Sequence, residues 1–182
     1  MRDAMSSVSG QIGDWKVRVR EFADSEVFDR LFKDGMGLVE EAAAYLDGPG
    51  REKSRQLDRE LALVYAAESM EVTTRLMQSA SWLVVQRAVR ERDMTVEEAG
   101  DEKYRLAAPG EIHPLDRTAL PDGLIALIDK SRALYDRVWR LDETLFSDEP
   151  RPVENPVMKQ IDRLRSAASS GAFDPLAVWR EK

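Results

Sequence analysis

Carboxylates at helical spacing are the residues of this chain best placed to do chemistry. Glu68 and Glu71 stand three apart in one long polar–apolar run, and Glu40–Glu41 lie in an earlier one. A carboxylate-bridged metal pair inside a helix bundle uses such residues, but it also needs two Glu-x-x-His pairs on facing helices. His113 is the single histidine among 182 residues, it precedes Pro114 in a loop-like stretch, and cysteine is absent. The metal pair therefore cannot be completed. A two-His zinc site and a Ser-His-Asp triad are equally out of reach, and without cysteine there is no disulfide, iron–sulfur or thiolate chemistry. The remaining candidates have plain structural readings. Gly35-Met36-Gly37 and Gly48-Pro49-Gly50 do not follow a strand, so they read as turn or packing glycines rather than phosphate loops. Glu68 reads as a partner for Arg75 or as a solvent-facing acid near a bundle seam. Ser79 and Ser81 read as small packing residues, and Trp82 and Met77 as core or interface. Arg87, Arg90 and Arg92 complement the negative end of a helix. The expectation is a non-enzyme with no catalytic, metal or cofactor-binding residue.

The elements that carry these residues are helices. A helix capped by Ser25 accounts for the spacing of Phe28, Leu31, Phe32, Leu38, Val39, Ala42, Tyr45 and Leu46, and Asp47-Gly48-Pro49-Gly50 stops it. Gly35 and Gly37 within it point to close approach of another helix. From about Ser54 to Glu91 neither Gly nor Pro intervenes, which gives a helix about 57 Å long. It bears two apolar stripes: Leu57, Leu61, Val64, Tyr65, Val72, Leu76 and Leu83, and then Leu63, Ala66, Ala67, Met70, Met77, Ala80, Val84 and Ala88. Two stripes mean two buried faces, and the second can be core or subunit interface. Thr95 and Glu98 have capping-box spacing for a short acidic helix. Residues 106–121 hold three prolines and read as a loop. Pro121 opens a third long helix with a stripe of Leu124, Ile128, Leu134, Tyr135, Val138, Leu141 and Leu145, ending near Phe146. The fold class is all-α: an antiparallel three-helix bundle over 25–147, with a long central helix and flexible N- and C-terminal tails.

The ends read differently. Residues 1–24 offer one short alternation, Trp15, Val17 and Val19, with no second strand to pair with, and are expected to be a mobile arm. Residues 148–182 begin with a proline-rich linker. A short amphipathic piece follows, with Val157, Ile161 and Leu164 on one side, and then a terminal cluster of Phe173, Leu176, Val178 and Trp179. That cluster either docks into a partner's groove or folds back on the bundle as a weak fourth element. The formal net charge of −7 falls wholly on the bundle, because 1–24 and 148–182 are each balanced. An acidic bundle with no basic helix face disfavours nucleic acid. No apolar run approaches the roughly 20 residues that span a bilayer, and no signal peptide precedes the first helix. A cytoplasmic protein is expected.

One segment is an odd choice for bundle stability alone. Glu68-Ser-Met-Glu-Val-Thr-Thr-Arg-Leu-Met-Gln-Ser-Ala-Ser-Trp-Leu-Val-Val-Gln-Arg-Ala-Val89 holds the poor helix formers Thr73 and Thr74, and Gln78 and Gln86 interrupt its stripes. Together with Tyr45-Leu-Asp-Gly-Pro-Gly-Arg51, it resembles the alphaproteobacterial family of the regulator of CtrA degradation (RcdA) over roughly residues 25–147. The chain departs from the family pattern after the central helix, where Arg92-Asp93-Met94 stands for Gly-Glu-Met. The resemblance implies a homodimeric three-helix bundle that acts as a non-enzymatic adaptor of the ClpXP protease. It implies a protease primed by a CpdR-like response regulator and recruited with the adaptor to a cell pole. Cargo would be delivered directly, or through a cyclic-di-GMP-binding adaptor when it is the cell-cycle regulator CtrA. The bundle surface would bind substrate proteins. The tail would meet the protease, with Ile161, Leu164, Phe173, Leu176, Val178 and Trp179 as the partner-binding residues. The rival reading is a helical, dimeric protein-binding regulator unrelated to proteolysis.

Overall fold

A computed structural model describes residues 14–110 and 120–147, within the unit that ends at Asp148. The described residues form six α-helices and one 3-10 turn, with no strand among them: α1 Asp14–Ala23, α2 Glu26–Asp47, α3 Pro49–Ser54, α4 Arg59–Glu91, α5 Val96–Ala99 and α6 Asp122–Phe146, the turn being Glu102–Tyr104. The long helices α2, α4 and α6 make the expected antiparallel bundle, with α4 packed against both of the others.

Local chemistry explains most boundaries. Ser25 caps α2 by accepting the Phe28 N–H, and α2 ends at Asp47 with Gly48 closing onto the Ala44 carbonyl. Thr95 and Glu98 form the full capping box of α5. Helix α6 opens after Pro121 and ends at Phe146. The α4 start differs from expectation. Pro49 opens the separate short helix α3, and Asp58 caps α4 by accepting the Leu61 N–H at 2.9 Å. An Asp cap outcompetes continuation from Ser54, because it satisfies a backbone donor that the helix start otherwise leaves bare.

The expected mobile arm over 1–24 is corrected in its second half. Residues 14–23 are α1, and its Val19 and Ala23 are fully buried while Val17 is half exposed. The packing residues Trp15, Val19, Phe22 and Ala23 recur at helical spacing, which the alternation Trp15, Val17, Val19 obscured. Trp15 rests 5.7 Å from the Phe146 ring, and Phe22 lies 5.9 Å from Trp82. Lys16 pairs with Glu97 at 2.6 Å, and Arg18 donates to the Ser147 carbonyl. These contacts tie α1 to α4, α5 and the end of α6. The segment sheds apolar surface there that a free arm would leave in water.

Gly35 behaves as expected: a Cβ at that position would sit 2.7 Å from Leu83 Cδ1, so α2 and α4 meet there. Gly37 does not, since nothing lies within 4 Å of its Cβ position.

Candidate functional site

The long helix α4 shows two unlike faces. Its inward face buries Tyr65, Val72, Leu76, Trp82, Leu83 and Val89 together with the polar Glu68, Ser79 and Gln86. At its centre Trp82 donates its indole N–H to Asp142 Oδ1 at 2.8 Å. Asp142 is fully buried on α6, and Arg105 closes the group with Nε at 2.9 and 2.8 Å from the two carboxylate oxygens. The Leu106 N–H adds a weaker contact at 3.3 Å. A buried carboxylate with a guanidinium and an indole on it is fully satisfied, so it aligns α4, α6 and the 105–106 segment. Sequence reasoning passed over Asp142, because a lone acid inside an apolar stripe gives no sign of the Trp and Arg that meet it.

The outward face holds the second stripe, which the structure resolves as surface rather than core. Leu63, Met70, Met77 and Val84 are each more than half exposed, and Ala66, Ala67, Thr73, Thr74 and Ser81 around them are exposed too. Thr73 and Thr74 turn their hydroxyls back onto the Ser69 and Met70 carbonyls at 2.8 and 2.9 Å. The threonines therefore spend their polar groups within the helix and leave their methyl groups for contact. A contiguous apolar strip of this kind marks a surface for another macromolecule.

The other residues singled out in the sequence settle into structural roles. Glu68 is buried and does not pair with Arg75. Arg75 bonds Glu71 at 3.0 Å instead, because four residues apart places those two on adjacent turns. Arg87 bonds Glu91 at 2.7 Å and lies over the Phe32 ring, while Arg90 forms an ion pair with Asp29 of α2. Ser79 and Trp82 are core, whereas Ser81 and Met77 face outward. Burial raises the phenol pKa of Tyr45, Tyr65 and Tyr135, and Tyr135 donates to the Ala107 carbonyl at 2.9 Å. No group of three or more His, Asp or Glu among the described residues could hold a metal ion, and no described helix is long and apolar enough to cross a membrane. His113, Ile161, Leu164, Phe173, Leu176, Val178 and Trp179 lie outside the described residues.

A family described as a protein of unknown function, DUF1465, matches residues 19–168. The match is wider at both ends than the 25–147 expected, taking in the second half of α1 and, in the tail, Ile161 and Leu164. The crystal structure of RcdA from Caulobacter crescentus CB15 is similar at 52% identity and a TM-score of 0.59, covering 70% of this chain and 97% of that one. No curated protein matches.

Proposed function

The chain belongs to the DUF1465 family and to the family of RcdA, and on that premise we propose that it is a non-enzymatic regulator of proteolysis, an adaptor that delivers cell-cycle regulators such as CtrA to ClpXP. The observation that carries this reading is the 52% identity to RcdA over 97% of that chain. The protease is primed by a CpdR-like response regulator. Cargo comes either directly or through a cyclic-di-GMP-binding adaptor, and the adaptor itself is a cytoplasmic homodimer recruited with the protease to a cell pole. The physical means is tethering. Linking cargo to the protease sets its effective concentration there at about millimolar, which lowers the apparent KM of degradation with no catalytic group. In this reading the bundle provides the rigid binding surfaces. Ile161, Leu164, Phe173, Leu176, Val178 and Trp179 are the anchors that meet the primed protease. The Trp82–Asp142–Arg105 group supports it, since its hydrogen bonds hold α4 and α6 in register and give that part of the bundle centre a structural role.

The test is reconstituted degradation with ClpXP, the response regulator and a candidate substrate. The full-length chain should accelerate substrate loss. Residues 1–147 alone, or the full chain with Phe173, Leu176, Val178 and Trp179 changed to Ala, should not. Acceleration that survives both changes would remove the tail from the mechanism. No acceleration by the folded full-length chain would favour a dimeric protein-binding regulator unrelated to proteolysis.

A further inference from the structure

The exposed strip of α4 has a seven-residue period. Leu63, Met70, Met77 and Val84 stand at every seventh position with 53% to 71% of their surface exposed. Three residues after each come Ala66, Thr73, Ala80 and Arg87. In heptad terms, large apolar side chains occupy a, while small ones and the flexible stem of an arginine occupy d. From Leu63 to Val84 no a or d position is charged, and the strip runs about 32 Å along the helix.

We propose that this face packs against the same face of a second copy of the chain, α4 on α4 and antiparallel, with the twofold axis beside residue 75. The inference rests on the homodimer proposed above and adds its surface, direction and register.

The choice of partner and direction follows from the alternation of sizes. In a parallel pair, a meets a and d meets d, so Met faces Met in one layer and Ala faces Ala, or Thr faces Thr, in the next. Successive layers would then require different separations between two straight helices. In an antiparallel pair, a meets d. Met70 falls opposite Ala80, Thr73 opposite Met77, Ala66 opposite Val84, and Leu63 opposite the aliphatic stem of Arg87. Every layer then sets a large side chain against a small or flexible one, and a single separation near the short end of the usual 8–10 Å suits them all. A face that complements its own reverse is what an isologous twofold contact requires, since each residue must find its counterpart twice. Thr73 fits because its hydroxyl already has the Ser69 carbonyl as acceptor, so burial strands no donor.

The absence of cysteine makes the test direct, because an introduced thiol is the only one in its chain. Ala66→Cys and Val84→Cys, both on the exposed face, are made separately in the full-length chain and checked for folding by circular dichroism. Each is then treated with a short bis-maleimide, alone and after mixing to exchange subunits. In the antiparallel pair, Cys thiols at 66 and 84 of opposite copies adjoin, while two thiols at 66 are about 27 Å apart. The expected result is a cross-linked species of twice the chain mass in the mixture and its loss in either variant alone. The double variant A66C/V84C should cross-link by itself. Self-linking of A66C would overturn the proposal in favour of a parallel pair. No linking while light scattering reports a dimer would place the dimer contact on another face, overturning the proposal and leaving the homodimer standing. A monomeric unmodified chain would remove both and leave the strip to a helix of another protein.

Discussion

The inward and outward faces of α4 invert the usual division of a surface helix. The inward face carries buried Glu68, Ser79 and Gln86 and the indole bond from Trp82 to Asp142, while the outward face carries Leu63, Met70, Met77 and Val84 in water. Burying the Trp82 indole and the Asp142 carboxylate contributes little net stability, but it penalises every arrangement that leaves them unmatched. Trp82 reaches Asp142 only when α4 and α6 are in one register, so the inward face specifies the bundle. The outward strip contributes nothing to the bundle, and its hydrophobicity has a use only in contact with something else. Stability and partnership are thus divided between two sides of one helix.

The largest expected effect comes from breaking the inward side. Asp142→Ala strands the Trp82 N–H and leaves Arg105 only its longer 3.6 Å contact to Glu143, and it should lower unfolding stability by about 3 kcal/mol. Asp142→Asn, which keeps an acceptor for Trp82, should lower it by less. Urea denaturation with an unchanged m-value measures both. A loss below about 1 kcal/mol for the alanine variant would mean that apolar packing alone sets the register.

The complementary break is on the outward side. The double variant M70E/M77E places carboxylates in the middle of the strip, and it should weaken self-association by at least about 100-fold, since four unpaired carboxylates, two from each copy, must be desolvated. Stability of the dissociated chain should change by no more than about 0.5 kcal/mol, as befits exposed positions. Sedimentation across a dilution series reads the first quantity and chemical denaturation at low concentration the second. Equal loss of both would collapse the distinction between the faces.

Much of this architecture is legible in the sequence where the chemistry is local. Ser25 and the Thr95–Glu98 box mark helix ends through side chains that satisfy nearby backbone groups, Gly48 marks one through its own backbone N–H, and all do so in the structure. Helix α1 is harder to read. Its ten residues show both an alternation through Val17 and a helical spacing of Trp15, Val19 and Phe22, and only docking against Trp82 and Phe146 decides between them. The two stripes of α4 are similarly apolar, so composition cannot say which is core. The decision comes from α2 and α6, which cover one side. Asp142 is silent for the same reason: its meaning lies in residues 37 and 60 positions away.

A smaller effect gives a control for both faces. Ser25→Ala removes the acceptor of the Phe28 N–H at the start of α2 and should lower stability by about 1 kcal/mol. Because it touches neither face of α4, association should be unchanged once the chain is folded. Weaker association in this variant, measured at equal folded fraction, would show that general loosening of the bundle reaches the strip. The M70E/M77E result would then need that correction.

The smallest effect has the opposite sign and lies where both faces end. Arg92 closes α4 with φ 64° and ψ 22°, the one described non-glycine residue with positive φ. Its N–H and the N–H groups of Asp93 and Met94 all turn back to the last carbonyls of the helix, those of Ala88 and Val89. A side chain in this left-handed region costs about 1–2 kcal/mol. Arg92→Gly relieves that strain. Part of the gain is lost to the wider freedom of Gly in the unfolded chain and to a cation removed from the negative helix end. The net expectation is a stabilisation of about 0.5–1 kcal/mol, read as a higher denaturation midpoint, with association through Leu63–Val84 unaltered. A destabilised variant would mean that the Arg92 side chain contributes more than its backbone strain removes, and that the closure of α4 depends on contacts rather than on conformation.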